Sequence, residues 1–199
     1  MSDIIQPGGG LVFMKVGTHA QEPLDEIIAR KQREIDEAGM ALWGYGGNTC
    51  HPVTMVQPFA KSFEKKGSAI YLCMEEMESR HYAEPKRAEQ MSENGLDWTD
   101  IASSINVLGS RFALVIKELK KEAFELPLAN TRVAVGNQRG RAGNLYVNGR
   151  VDKACLEYFG EPDGIVDGPL GPDAGTRTTR IGLVAKLEPP YAVFLRNRP

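Results

Sequence analysis

One ten-residue stretch, from Trp43 to Pro52, holds most of the side chains that could recognise or transform a ligand. It contains two aromatic rings, three glycines, an amide, a hydroxyl, a thiol and an imidazole. Glycines let the backbone turn sharply and present its N–H groups, and aromatic rings offer flat faces for stacking. The stretch therefore predicts a ligand-binding loop, the alternative being a tight turn whose rings belong to the core. The predicted ligand-binding residues in it are Trp43, Tyr45, Gly46, Gly47, Asn48 and Thr49.

The same stretch suggests nucleophilic catalysis through Cys50. A thiolate nucleophile needs a neighbouring base or positive charge that lowers its pKa. His51 follows directly, but successive side chains of an extended segment point to opposite sides, so His81 is an equal candidate for the base. No family signature surrounds this cysteine. A Cys-dependent hydrolase or transferase using Cys50 with His51 or His81 is therefore the alternative function.

Motifs for metals and for dinucleotides are not found. His19, Cys50, His51 and His81 are scattered and lack the spacing of a zinc site, so no metal site is predicted. The glycines from Gly44 to Gly47 match neither GxGxxG nor GxxxxGK[ST], which excludes a Rossmann fold and a P-loop. No cofactor is predicted.

A basic, glycine-rich loop from Gly136 to Asn144 carries Arg139 and Arg141. The simpler interpretation is a solvated hairpin tip. The sharper one is that the two guanidinium groups contact a phosphate or a nucleic-acid backbone, since arginine forms bidentate hydrogen bonds with phosphate.

Length and composition limit the number of domains and the classes of function that this chain can have. A length of 199 residues predicts one domain over residues 1–199. The formal net charge of −2 provides no general basic field for nucleic acid. Three cysteines without a CxxC spacing, a polar and glycine-rich beginning, and no long apolar run predict a cytoplasmic protein that does not cross a membrane.

The elements that must position these residues begin with a buried strand from Leu11 to Val16. Lys15 is its one charge, and it either reaches solvent at the strand end or, if it points inward, binds an anionic or carbonyl group. An amphipathic helix is predicted from Leu24 to Ala38, with acids in its first turn and Gly39 as its C-cap. Arg30 is expected on the solvent side of this helix.

Strands outnumber helices in the rest of the chain. A helix is expected to begin at Pro58, with Phe59 and Phe63 facing the core, and residues 75–104 form a long surface excursion that can act as a flap. The other predictions are a strand at 69–74, a hairpin of strands 105–108 and 111–119 joined by a Gly109-Ser110 turn, and strands at 131–135, 181–187 and 191–195. A hairpin around 145–151, a possible helix at 153–159 and a flexible loop at 163–179 complete the set. Together they predict an α+β fold with a mixed or antiparallel, barrel-like sheet and two or three helices.

The order of these segments is similar to that of the PUA-like superfamily, which includes the YTH, EVE and ASCH domains. The likeness is carried by a strand with a lysine (Leu11 to Val16), a helix, Trp43 in a polar loop, the strand Ala69 to Met74, and a hairpin. It implies a small barrel-like α+β domain that binds RNA or modified bases, with Trp43 as a wall of an aromatic pocket.

The sequence thus predicts a binding module for a planar ligand, such as a modified base or nucleotide, either free or within nucleic acid. Trp43 and Tyr45 would stack on the ring, and Arg139 and Arg141 would hold its phosphate. Besides the Cys-dependent enzyme, a third possibility is a protein-interaction domain whose flap and loop contact a partner.

Overall fold

A computed structural model of the protein describes residues 4–46, 50–80, 86–147, 151–160 and 178–198. These residues form three α-helices, one short 3-10 helix and nine β-strands. The helices are α1 (Leu24–Ala38), α2 (Val53–Glu64) and α3 (Gly143–Tyr146), and the 3-10 helix is Leu128–Asn130. The strands are β1 (Gly10–Thr18), β2 (Ala41–Tyr45), β3 (Tyr71–Arg80), β4 (Gln90–Ser92), β5 (Thr99–Asp100), β6 (Phe112–Pro127), β7 (Thr131–Val133), β8 (Lys153–Tyr158) and β9 (Thr178–Arg196).

The nine described strands belong to one mixed sheet. Its order is β2-β6-β9-β3-β1-β8-β7, with β4 pairing with β9 and β5 with β4. The central strands β1 and β3 are parallel, whereas the other pairs of described strands are antiparallel. This confirms the predicted α+β class with a mixed sheet and helices. Among the described residues the sheet is not closed into a barrel, since β2 and β7 lie at opposite ends of its strand order.

Helix α1 follows its sequence pattern closely. Asp25 and Glu26 occupy the first turn, where the helix dipole favours acids. Gly39 adopts a left-handed φ of 75°, and its N–H donates to the carbonyl of Ile35, which is the expected C-cap. The predicted bounds of this helix are confirmed. Among the described residues, no helix combines the length and apolar character that a membrane span requires.

The sheet is buried on both faces because β1 presents apolar residues in both directions. Val12 and Val16 belong to the core cluster that includes residues of α1 and α2. Leu11 and Phe13, one position away, belong to a second cluster with Leu156 and other residues beyond the opposite face. Successive side chains of a strand point to opposite faces, so this single strand anchors both cores.

Helix α2 begins earlier than predicted. It starts at Val53, after the extended Pro52, and contains Pro58 in its interior. Proline removes a helix hydrogen bond, but the helix buries five apolar residues, which outweighs this loss. The predicted pair of Phe59 and Phe63 forms an edge-to-face contact with a centroid separation of 5.2 Å.

Two segments predicted as loop or helix are strands. Ala41–Tyr45, which includes the first three residues of the predicted glycine-rich loop, forms β2 and pairs with β6, so that Trp43 lies opposite Leu114. Lys153–Tyr158, the possible helix, forms β8 between β1 and β7. Both predictions were wrong because cross-strand pairing and burial override local propensity.

The predicted hairpin at Gly109-Ser110 is also not formed. Of its two strands only the second exists, and it continues as the 16-residue strand β6, which pairs with the 19-residue strand β9. The predicted strands 181–187 and 191–195 are both part of β9, which runs through Pro189 and Pro190. The long pairing of β6 with β9 explains both errors, because each strand satisfies the backbone of the other.

Three smaller predictions also differ. The expected surface excursion begins later, because β3 extends to Arg80, and it contains β4 and β5. The segment 145–147 ends helix α3 instead of forming a hairpin strand. Of the predicted flexible loop 163–179, residues 163–177 lie outside the described residues, and Thr178 and Thr179 belong to β9.

Candidate functional site

A cavity of about 640 Å³ lies at the carboxyl ends of the parallel strands β1 and β3. Such crevices are frequent ligand sites in open sheets, and the volume lies within the range of roughly 300–1,000 Å³ that small-molecule sites have. Six segments of the chain line it. The lining residues are 14–19, Leu24, Ile27, Arg30, Lys31, Trp43, Gly44, Gly46, Met77, Ser79, 106–111, Asp152 and Lys153.

Helix α1 and residues 106–111, which form two of the cavity walls, are joined by hydrogen bonds between a buried ion pair of the helix and the Asn106 backbone. The Lys31 ammonium lies 2.8 Å from Glu34 Oε2 and donates to the Asn106 carbonyl at 2.7 Å. Glu34 Oε1 in turn accepts from the Asn106 backbone N–H at 3.0 Å. Burial lowers the pKa of Lys31 to about 8, although the field of Glu34 acts in the opposite direction. The Lys31 ammonium, the Glu34 carboxylate and the backbone N–H and carbonyl of Asn106 are therefore all hydrogen-bonded, which fixes the wall in place.

Arg30 adds a second link to the same wall. Its guanidinium holds the Glu22 carboxylate in a bidentate contact, with N···O distances of 2.9 and 2.5 Å, and also donates to the Asn106 carbonyl. Glu22 is brought there by a two-residue turn in which Ala20 and Gln21 both have positive φ. Arg30 was expected on the solvent side of α1, but its side chain is only 17% exposed because it faces this network.

Trp43 and Tyr45 occupy different environments even though they share one face of β2. The Trp43 indole is 4% exposed and lines the cavity. Tyr45 is 1% exposed and does not line the cavity, and burial raises the pKa of its phenol. The structure therefore leaves Trp43 as a stacking candidate, whereas Tyr45 packs in the core and its predicted stacking on a ligand requires the core to open.

Two glycines of the stretch shape the cavity by their lack of a side chain. A Cβ on Gly44 would lie 2.6 Å from the Ser110 hydroxyl oxygen, so any larger residue at position 44 would force this hydroxyl to move. Gly46 also lines the cavity and lies beside the backbone of Arg111. The predicted contribution of Gly46 to a site is thus geometrically possible.

The charges at the cavity are unbalanced toward cations. Among the described residues that line it, five have cationic side chains (Lys15, Arg30, Lys31, Arg111 and Lys153) and one, Asp152, has an acidic side chain. Lys15 lies 3.7 Å from Glu75, its neighbour in the β1–β3 register. Strand alternation places Lys15 on the sheet face opposite to Met14 and Val16, so its ammonium is directed at Glu75 rather than into the apolar part of the cavity.

The His51 side chain is held by contacts at both of its ring nitrogens. Its Nδ1 accepts a hydrogen bond from the Cys155 backbone N–H at 3.1 Å, so the proton of the neutral ring is on Nε2, which lies 3.2 Å from the Tyr146 hydroxyl. Burial lowers the pKa of His51. Both ring nitrogens are therefore engaged, and the ring is neutral at physiological pH.

Cys50 is half-buried, and burial raises the pKa of its thiol, an effect that the nearby Lys153 ammonium opposes. Because both ring nitrogens of His51 are engaged by Cys155 and Tyr146, its hydrogen bonds do not support a catalytic pair with Cys50. His81, the other predicted base, lies outside the described residues. Among the described residues, no three His, Cys, Asp or Glu side chains come together as a metal site requires.

The two arginines predicted to contact phosphate are not brought to the cavity. Arg139 and Arg141 are exposed between β7 and α3 and do not line it. Gly47, Asn48 and Thr49 lie outside the described residues. The sequence analysis missed Asn106, Arg111 and Lys153, which line the cavity. No local motif marks them, because only the pairing of β8 with β1 and the link from α1 to Asn106 bring them together.

Comparison with protein-family models, with curated proteins and with solved structures found no match.

Proposed function

We propose that this protein binds a small planar ligand, such as a modified base or a nucleotide, in the cavity beside Trp43. The observation that carries the proposal is an indole at the wall of a cavity of about 640 Å³. An aromatic wall stabilises a flat heterocycle by stacking, and hydrogen-bonding groups around it determine which heterocycle binds.

The lining has the two kinds of surface that such a ligand needs. Met14, Val16, Leu24 and Ile27 supply apolar area next to the indole. Asn106 supplies an amide, and its Oδ1 is buried without a hydrogen-bond partner. An unpaired buried acceptor costs about 1–3 kcal/mol, so a ligand N–H that reaches it after rotation of the amide would recover this energy.

A free ligand is favoured over a nucleic-acid strand. The chain has a net charge of −2, and Arg139 and Arg141, the predicted phosphate contacts, lie away from the cavity. The resemblance to the PUA-like superfamily is part of the same proposal. Its support is the mixed sheet and the Trp43 indole at a cavity wall. The open sheet, the location of Trp43 in strand β2 and the missing hairpin depart from the pattern on which the resemblance rests.

Fluorescence tests the proposal directly because the chain has only two tryptophans. In a Trp98→Phe variant, Trp43 becomes the only indole and reports on the cavity. Titration with nucleobases, nucleosides and nucleotides should quench or shift its emission in a saturable way, and native mass spectrometry of freshly purified protein should show any retained ligand. A labelled RNA in the same titration distinguishes a free ligand from a strand.

The variants should be conservative because Trp43 packs in the core. We expect Trp43→Leu to weaken binding at least tenfold, measured by calorimetry, since stacking contributes about 1–3 kcal/mol per base. Tyr45→Phe is the matched control, because it alters the same face of the same strand outside the cavity. Equal affinity of Trp43→Leu and the wild type would refute the role of the indole.

A further inference from the structure

The polar side of the cavity contains two cations that the proposed stacking does not use, Arg111 and Lys153. They come from different parts of the fold. Arg111 precedes β6, and Lys153 begins β8. Both line the same cavity, so their positive charges face one space. Arg111 is exposed, whereas Lys153 is largely buried.

Lys153 is directed to the cavity side of the sheet. It lies opposite Met14 in the β1–β8 register, and Met14 and Val16 are on the same face as α1. The Lys153 side chain is only 12% exposed, and its ammonium lies 2.9 Å from Asp152 Oδ2. A largely buried ammonium with a single carboxylate neighbour among the described residues retains hydrogen-bond donors for another acceptor.

Arg111 is the cavity cation whose charge is least compensated. Lys15 is paired with Glu75, Lys31 with Glu34, and Arg30 with Glu22 and Glu34. Within the described part of the chain, no carboxylate forms an ion pair with Arg111, whose guanidinium lies 5.8 Å from the centre of the Phe112 ring. An arginine fork held beside an aromatic ring is suited to bidentate binding of a carboxylate or phosphate.

We infer that the ligand carries an anionic group that binds between Arg111 and Lys153 while its ring stacks on Trp43. This inference rests on the proposed function and narrows it to phosphorylated or carboxylated heterocycles, of which nucleoside 5′-monophosphates are the natural probes. Ser110 and the backbone beside Gly46 line the same part of the cavity and can supply further donors. Asp152 limits the charge that the ligand can carry, because it repels a second anionic group placed next to Lys153.

The test compares each nucleoside with its 5′-monophosphate by titration of the full chain, using the Trp98→Phe variant for fluorescence and the wild type for calorimetry. We expect the best monophosphate to bind about tenfold or more tightly than its nucleoside, since a hydrogen bond to a charged group contributes about that much. Arg111→Gln and Lys153→Gln should remove most of this preference, because they should weaken binding of the monophosphate much more than binding of the nucleoside. Inorganic phosphate should compete with the monophosphate but not with the nucleoside.

The matched controls are Arg33→Gln and Lys61→Gln, which remove exposed charges of the same kind on α1 and α2 away from the cavity. Neither should change the preference. A base carrying a carboxymethyl group in place of the phosphate separates phosphate from carboxylate recognition. Equal affinities for nucleoside and monophosphate in the wild type would overturn the inference, as would a preference that survives Arg111→Gln. Failure of every heterocycle to bind or to alter Trp43 emission would instead overturn the proposed function.

Discussion

Lys31 in helix α1 donates a hydrogen bond of 2.7 Å to the backbone carbonyl of Asn106, a residue 75 positions later in the chain. The Asn106 N–H donates to Glu34 of the same helix, so α1 holds both backbone polar groups of this one residue. A charged face of α1, and not only its apolar stripe, therefore fixes the cavity wall formed by residues 106–111. Cavity shape and helix packing depend on the same ion pairs.

The first prediction concerns Glu34, which accepts from Arg30, Lys31 and Asn106. Glu34→Gln should lower the free energy of unfolding by about 3–5 kcal/mol, because it leaves a buried ammonium without a counter-charge. Urea denaturation measures the change. Asp36→Asn is the control, since Asp36 pairs with Gln32 on the exposed side of α1 and should cost no more than about 0.5 kcal/mol. Similar costs for the two variants would contradict the structural role of the network.

The second prediction is a pH dependence of stability that originates at His51. Burial lowers the pKa of His51 in the folded protein below its ordinary value of 6.5. Below that value the unfolded chain binds a proton that the folded chain does not, so stability falls as the pH falls. Acid conditions also place a second N–H on the ring at Nδ1, opposite the Cys155 N–H.

The measurement is the urea midpoint between pH 7.5 and pH 5, in the wild type and in His51→Gln. Below the pKa of His51 in the unfolded chain, the free energy of unfolding of the wild type should fall by up to about 1.4 kcal/mol per pH unit more than that of the variant. Because other groups titrate identically in both proteins, the difference between the two curves isolates His51. Parallel curves would show that His51 is protonated equally in the folded and unfolded states.

The third prediction concerns the close approach of β2 to residue 110. Gly44→Ala should destabilise the protein by about 1–3 kcal/mol, because the added methyl group would lie 2.6 Å from the Ser110 oxygen. Adding Ser110→Ala should restore part of the loss by removing that oxygen. Gly182→Ala is the control, since no atom lies within 4 Å of the Cβ position at Gly182. The measurement is a thermal melt of the wild type, Gly44→Ala, the double variant and Gly182→Ala. Equal melting temperatures for Gly44→Ala and Gly182→Ala would refute the steric argument.

The fourth prediction separates exposure from catalytic activation at Cys50. Cys73 and Cys155 are fully buried, whereas Cys50 is half-exposed, so an alkylating reagent should label Cys50 first. Because burial raises the pKa of the Cys50 thiol, its labelling at pH 7 should be slower than that of a small free thiol. Rates followed by intact-mass spectrometry test this. Labelling faster than the free thiol would favour the Cys-dependent hydrolase or transferase.

Secondary structure could be predicted from the sequence where it is determined by residues within the same short segment. The extent of α1, its Gly39 cap, the core strand around Leu11 and the Phe59–Phe63 pair are all as predicted. These features depend on contacts within a few residues. The strand β8 was missed for the opposite reason, since its structure is determined by the two strands that flank it, which lie far away in the chain.

The candidate site shows the same division. Trp43 could be selected from residue types alone, and it does line the cavity. Its neighbour Tyr45 could not be distinguished from it, because the register of β2 against β6 and the packing above it decide which ring meets a cavity. Arg111 and Lys153 carry no motif, and their importance follows only from the uncompensated charge of Arg111 and the inward position of Lys153.

The position of β9 in the sheet has a consequence for biosynthesis. It lies between β6 and β3 and thereby joins the strands on either side, yet it follows all the other described strands in the chain. Until residues 178–196 have left the ribosome, β3 and β6 each present an unpaired edge with buried apolar residues, and such edges promote aggregation. The parallel pair β1 and β3 can form early, but the sheet becomes continuous only after β9 has been synthesised. Chaperone demand during translation should therefore be high until that point and should decline once β9 is inserted.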